Sequence, residues 1–184
     1  MLIGITGTDG AGKGAIVDYL VNEKEFFHYS GRAWFLEVME ENCVEPTREN
    51  MRISANNLRR EFGNDGIVKE YMRRATEAGH ENYIIESIRA SAEAETLQAS
   101  GGVLIAVDAD QALRYERITS RGSSSDHISL EEFIAHEKLE MNDPDPHGMQ
   151  KAKVMEMADY TILNEGSLQE LGEQIEEVFK KIES

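Results

Sequence analysis

Eight consecutive residues, Gly7-Thr8-Asp9-Gly10-Ala11-Gly12-Lys13-Gly14, constrain this chain more than any others. They fit G-x-x-x-x-G-K, a pattern whose glycines let a loop curl until its backbone N–H groups point at phosphate oxygens. Lys13 supplies a point charge for the β- and γ-phosphates, and a helix starting there adds its positive N-terminal end. The motif requires a strand before it and a helix after it. Residues 2–6 form a short apolar run that reads as a buried strand, and residues 15–21 read as a helix. The loop therefore points to a nucleotide polyphosphate held at the end of a strand. Its expected nucleotide contacts are Gly7, Thr8, Asp9, Gly10, Ala11, Gly12, Lys13, Gly14 and Ala15.

Downstream, strand and helix patterns keep alternating. Residues 26–30, 83–86, 103–107 and 160–163 read as strands. Thr47 is placed to cap a helix, Asp110 caps one running to about Arg121, and Ser129 with Glu132 and Ser167 with Glu170 have capping-box spacing. Leu168, Leu171, Ile175, Val178 and Ile182 share one face of the last helix. Residues 143–148 (DPDPHG) exclude regular structure. This alternation predicts an α/β fold, the three-layer P-loop NTPase arrangement, with a parallel sheet of about five strands and helices on both faces. Ligands in such sheets bind at the carboxyl ends of the strands. Two excursions stand out: a charged, mostly helical stretch over 31–80, and a polar loop plus helix over 122–148.

A chain of 184 residues suits a single domain with a real core. Its net charge of -16 repels nucleic acid and anionic membranes, so neither is an expected partner. Small anions are still admissible, because local cations and backbone N–H groups hold them. The one cysteine, Cys43, cannot form an internal disulfide, which favours a reducing, cytoplasmic setting and excludes a four-cysteine zinc lid. The N-terminus lacks a basic region and a cleavage pattern, so no signal peptide is expected, and no apolar run has bilayer length. Small nucleotides are the expected partners; monomer and homodimer both stay open.

Two further segments carry chemistry. Residues 83–89 (YIIESIR) end an apolar strand in Glu86 and then present Arg89. A carboxylate there can hold Mg²⁺ through water, and Arg89 can fork onto an acceptor phosphate. The plain alternative is a pair of solvated charges. Arg114, Arg117 and Arg121 lie at i, i+3 and i+7 on one helix. Asp110, four residues before Arg114, suggests an ordinary structural pair. Arg117 and Arg121 repel mildly. Attraction to the helix C-terminus would account for them, as would a clamp on a transferring phosphoryl group. His127, His136 and His147 match no metal spacing and read as surface residues. Trp34 and Phe35 could stack on a base, but aromatics on a helix read first as core.

On these residues the chain resembles P-loop nucleoside monophosphate kinases end to end, chiefly the adenylate-kinase-related group, with some likeness to dephospho-coenzyme A kinases. Its Gly-Lys-Gly resembles adenylate kinases. Its Asp-Gly-Ala-Gly-Lys resembles thymidylate kinases, where the aspartate lies near metal and substrate. Glu86 to Arg89 resembles their D-G-x-P-R and D-G-I-R segments. Residues 107–122 resemble the stretch leading into the lid, where two arginines of this spacing contact phosphates. Residues 157–164 resemble an A-D-x-x-I-x-N ending that lies near adenine, which adds Asn164 to the ATP contacts. The resemblance implies an ATP-dependent kinase with ATP and Mg²⁺ as cofactors. It implies catalytic Lys13, Arg117 and Arg121, and Mg²⁺ held through water by Asp9 and Glu86. The acceptor would be gripped by Ser30 beside the 31–80 insertion, by Arg32 and Arg59 within it, with Arg60 as a substitute, and by Arg89, and 122–148 would be the lid.

The departures are specific. Gly14 and Ala15 carry no hydroxyl for Mg²⁺, Ser87 replaces a glycine, and Phe35 occupies the place of an acceptor arginine. A nucleotide-binding regulatory protein with weak or no phosphotransfer therefore remains the alternative. A dephospho-coenzyme A kinase is a second alternative, and Ser30-Gly31-Arg32 departs from the acidic pattern of that family.

Overall fold

The computed structural model describes residues 1–121 and 128–183. In chain order the elements are β1 (Leu2–Gly7), α1 (Lys13–Lys24), β2 (Phe27–Ser30), α2 (Gly31–Glu41), α3 (Arg48–Phe62), α4 (Gly66–Ala78), β3 (Tyr83–Glu86), α5 (Ser91–Ala99), β4 (Val103–Asp108), α6 (Gln111–Arg121), α7 (Leu130–Met141), α8 (Lys151–Glu156), β5 (Tyr160–Leu163) and α9 (Leu168–Ile182). The strands form one sheet in the order β2-β3-β1-β4-β5, and every pairing is parallel. All six residues of β1, the middle strand, are buried. Strands covered on both faces read as continuous apolar runs, which is why they were visible in the sequence.

Alternation along the strands divides the core. Ile3, Ile5, Ile84 and Ile105 face α1 and α9, where Ile16, Leu20, Leu171, Ile175 and Phe179 meet them. Leu2, Ile85 and Leu104 face the opposite layer, built from α2 to α5 and α8. The result is the expected three layers, with helices on both faces of a parallel sheet. The 31–80 stretch is α2, α3 and α4, and Thr47 caps α3 by accepting from the Asn50 N–H at 3.2 Å. Trp34 and Phe35 pack into this layer.

Small differences from the sequence reading have local causes. Strand β2 begins at Phe27, because Phe26 turns into the α1–α9 core. Helix α8 follows the proline-rich loop directly and had no signal in the sequence; its Lys151 and Val154 are buried. No helix among the described residues is long and apolar enough to cross a membrane.

Candidate active site

The loop between β1 and α1 is shaped by its glycines and pinned by three other segments. At Gly7 (φ 131°) a Cβ would sit 2.0 Å from the Val107 carbonyl oxygen, so no side chain fits. Gly10 and Gly12 are also left-handed, with φ 82° and 93°. The Thr8 N–H donates to the Val107 carbonyl at 3.2 Å, and its hydroxyl donates to Asp108 at 2.6 Å. The Asn164 amide donates to the Ala11 carbonyl at 2.8 Å, and Arg114 donates to the Asp9 carbonyl at 3.3 Å. Helix α1 has no side-chain cap and no acid in its first turn, so its N-terminal end stays open to an anion.

Lys13 lies folded against the loop. Its Nζ donates to the carbonyls of Thr8 at 2.8 Å and Gly7 at 3.1 Å, and its side chain is 12% exposed. Burial lowers its pKa from 10.5 to about 8, although Asp9 pulls it upward. The Asp9 carboxylate is 3.9 Å from Lys13 but 3.0 Å from the Nζ of Lys151. Lys151 is fully buried and also donates to Glu140 at 2.7 Å. Glu140 in turn lies 3.7 Å from Arg89. Nothing in the sequence singles out Lys151 or Glu140; their roles come from contacts between distant segments.

Glu86 ends β3 and is hydrogen-bonded to His28 of the neighbouring strand at 3.2 Å. Burial pushes its carboxyl pKa up, but the bond to His28 and the charges of His28, Lys13 and Arg89 outweigh burial and hold it below the usual range. Ser87, standing where the resemblance has glycine, adopts φ 71°. That left-handed turn sends the chain to Arg89, whose N–H donates to Glu93 at 2.8 Å.

These groups surround one cleft of about 240 Å³. Asp9, Gly10 and Lys13 line it from the loop, Ser30 and Arg32 from the start of α2, Glu86, Ser87 and Arg89 from the β3 end, and Arg121 from α6. Phe35, Met51, Ala55, Ile118 and Met149 supply apolar walls.

Three residues are placed differently from the sequence reading. Arg117 does not converge with Arg121 on the cleft; it donates to the Asn164 carbonyl at 2.9 Å. Residues four apart in a helix are separated by about 6 Å along its axis, enough here to reach different neighbours. Arg59, expected on the acceptor, lines the cleft, but its guanidinium is buried and committed to Glu93 at 2.9 Å. Arg114 is structural, though its partner is Glu137 rather than Asp110. Asp110 instead accepts from the N–H groups of Ala112 and Leu113, donors that the start of a helix leaves unpaired.

The 122–148 segment is only partly described: 122–127, with His127, lie outside the described residues. Its later part is α7 and a loop that docks on α3 and on the turn after it. There Arg52 pairs with Asp143 at 2.9 Å, Arg60 with Asp145, and Asn64 donates to the Pro146 carbonyl at 3.1 Å. His147, expected at the surface, is half-buried against Asn64 at 2.7 Å. His136 is half-buried too.

The acids also bear on metal binding. No group of three or more His, Cys, Asp or Glu poised for a metal occurs among the described residues. Gly14 and Ala15 offer no hydroxyl, and the Thr8 hydroxyl is engaged by Asp108. Asp9 and Glu86, both lining the cleft, suit a hydrated Mg²⁺, which keeps several waters and takes one or two carboxylates beside nucleotide phosphates.

Residues 3–145 match the family model described as an AAA domain. A UPF0200 protein of Methanococcus maripaludis is 28% identical over 185 residues, covering 98% of this chain and 97% of that protein. A UPF0200/UPF0201 protein of Archaeoglobus fulgidus is 33% identical over 144 residues, covering 76% of this chain; the match spans 43% of that longer relative. Among solved structures, shikimate kinase from Aquifex aeolicus aligns with a TM-score of 0.59 at 16% identity, covering 98% of this chain and 97% of that one. Dephospho-CoA kinase from Campylobacter jejuni aligns with a TM-score of 0.54 at 16% identity, covering 98% and 96%. At such identities these likenesses establish the P-loop kinase fold and nothing finer.

Proposed function

This chain belongs to the AAA-domain family, and from that premise we propose that it is an ATP-dependent kinase. It transfers the γ-phosphoryl group to a nucleoside monophosphate or a related nucleotide-like acceptor. The observation that carries this reading is a cleft lined both by Lys13 with its loop and by Arg32 and Arg89.

In this reading the loop N–H groups and Lys13 hold the β- and γ-phosphates, and Asn164 with Arg117 marks the adenine end. Arg89 and Arg32 draw in the acceptor phosphate, whose oxygen attacks the γ-phosphorus. The bond to the bridging oxygen breaks, and ADP leaves with that electron pair. An ionised acceptor phosphate has no proton to lose, so no general base is required. Arg121 faces the charge that spreads over the transferring oxygens. Asp9 and Glu86 would hold Mg²⁺ through water, and the bound ion would neutralise phosphate charge. ADP production from Mg-ATP, measured across nucleoside monophosphates and dephospho-coenzyme A, tests the proposal. Acceptor-dependent turnover that Lys13→Ala abolishes without unfolding the chain is the expected result. Unchanged turnover in that variant would sink the assignment.

A second reading, an ATP-binding regulatory protein with weak or no phosphotransfer, is favoured by one observation: positions 14 and 15 lack a hydroxyl. Tight ATP binding with no turnover on any acceptor would select it.

A further inference from the structure

We infer that Lys151 is a positioning residue that keeps the Asp9 carboxylate off Lys13, leaving Lys13 available to phosphate. The inference rests on the proposed reading only in requiring that the loop bind a nucleotide.

Lys151 opens α8, and its side chain is 2% exposed. A buried ammonium persists only where anions compensate it. Here Asp9 at 3.0 Å and Glu140 at 2.7 Å do so, one from the phosphate loop and one from the last turn of α7. Asp9 stands four residues before Lys13 and is within reach of both lysines, yet the shorter contact is to Lys151. The charges follow one another in alternation: Lys13, Asp9, Lys151, Glu140, Arg89.

The central cation governs both ends of this series. Without it, Asp9 would turn to Lys13 and Glu140 to Arg89, their next cations in the series. A carboxylate on Lys13 competes directly with the donor phosphates, and one on Arg89 competes with the acceptor phosphate. Coulombic attraction in a poorly solvated cleft makes that competition costly. The charges of Asp9 and Lys151 already act on Lys13 in opposite directions.

The test is ATP affinity of the full chain, measured by displacement of a fluorescent nucleotide analogue, with Mg²⁺ and with EDTA, and without acceptor. Lys151→Met should weaken ATP binding by about tenfold or more, while Lys151→Arg, which keeps the charge, stays within about threefold of wild type. In EDTA, where the part assigned to Asp9 in holding Mg²⁺ drops out, adding Asp9→Asn to Lys151→Met should restore affinity to within about threefold of wild type in EDTA, because the competing carboxylate is gone. Thermal unfolding checks that each variant is folded. Should Lys151→Met alone fail to fold, the charge-balanced double variant carries the test. Wild-type affinity in Lys151→Met would overturn the inference, as would a double variant that does not recover binding in EDTA. So would a double variant that does not fold, since Lys151 would then be a packing element. Failure of the wild-type chain to bind ATP would instead bring down the nucleotide reading, and this inference with it.

Discussion

The Nε–H of Arg59 donates to the Glu93 carboxylate at 2.9 Å, with both side chains 1% exposed. Glu93 also accepts from the N–H groups of Arg89 and Ala90, so the pair braces the turn that carries Arg89 into the cleft. Removing one partner leaves a buried charge uncompensated, at a cost of about 3–5 kcal/mol. Arg59→Met should therefore lower the melting temperature by roughly 10 °C. An unchanged melting temperature with a raised KM for acceptor would return Arg59 to substrate binding.

Lys13 gives a pH dependence with a definite sign. Its folded pKa, about 8, lies below the unfolded value of 10.5. The cost of burying its charge is full below pH 8 and is relieved as pH rises from about 8 to 10.5, so its contribution to stability increases across that window. Phosphate binds the charged form and opposes this trend. ATP affinity should fall as pH rises through about 8, and Lys13→Met should bind weakly with no such step. Titration of binding across pH 6 to 9.5, on the order of the window that the lysine shift defines, checks both. A step that survives in Lys13→Met would assign the titration to another group.

The separation of Arg117 from Arg121 predicts a kinetic split. Arg117→Ala removes a group attached to the Asn164 loop and should raise the KM for ATP with little change in kcat. Arg121→Ala removes a cleft cation and should lower kcat by roughly a hundredfold. Steady-state kinetics with each variant distinguishes the two, and identical profiles would restore the shared clamp.

Ser87 holds a backbone conformation that favours glycine, with φ 71°. Ser87→Gly should relieve about 1 kcal/mol of strain and raise the melting temperature by roughly 2–4 °C. A lower melting temperature would mean that the serine side chain contributes more than its backbone costs.

How much was legible in the sequence depended on whether a residue's role is local. The phosphate loop could be read because only glycines allow its curvature, as Gly7 against Val107 demonstrates. The sheet could be read because buried parallel strands are unbroken apolar runs. Arg32 and Arg59 look alike in sequence, and only burial against Glu93 separates them. Lys151 had no signal because its two anions lie 142 and 11 residues away.

The clasp between the 143–148 loop and residues 52–64 makes one wall of the cleft joint property. Arg52 meets Asp143, and Asn64 meets Pro146 and His147, across more than 80 residues of intervening chain. A lineage reshaping this cleft could not exchange one of these segments alone. An imported α3 would arrive without its matching loop, and Asp143, whose side chain is 2% exposed, would be left buried without its arginine. Divergence of specificity on this scaffold must therefore proceed through paired changes at both segments, which makes covariation between them the trace such a history would leave.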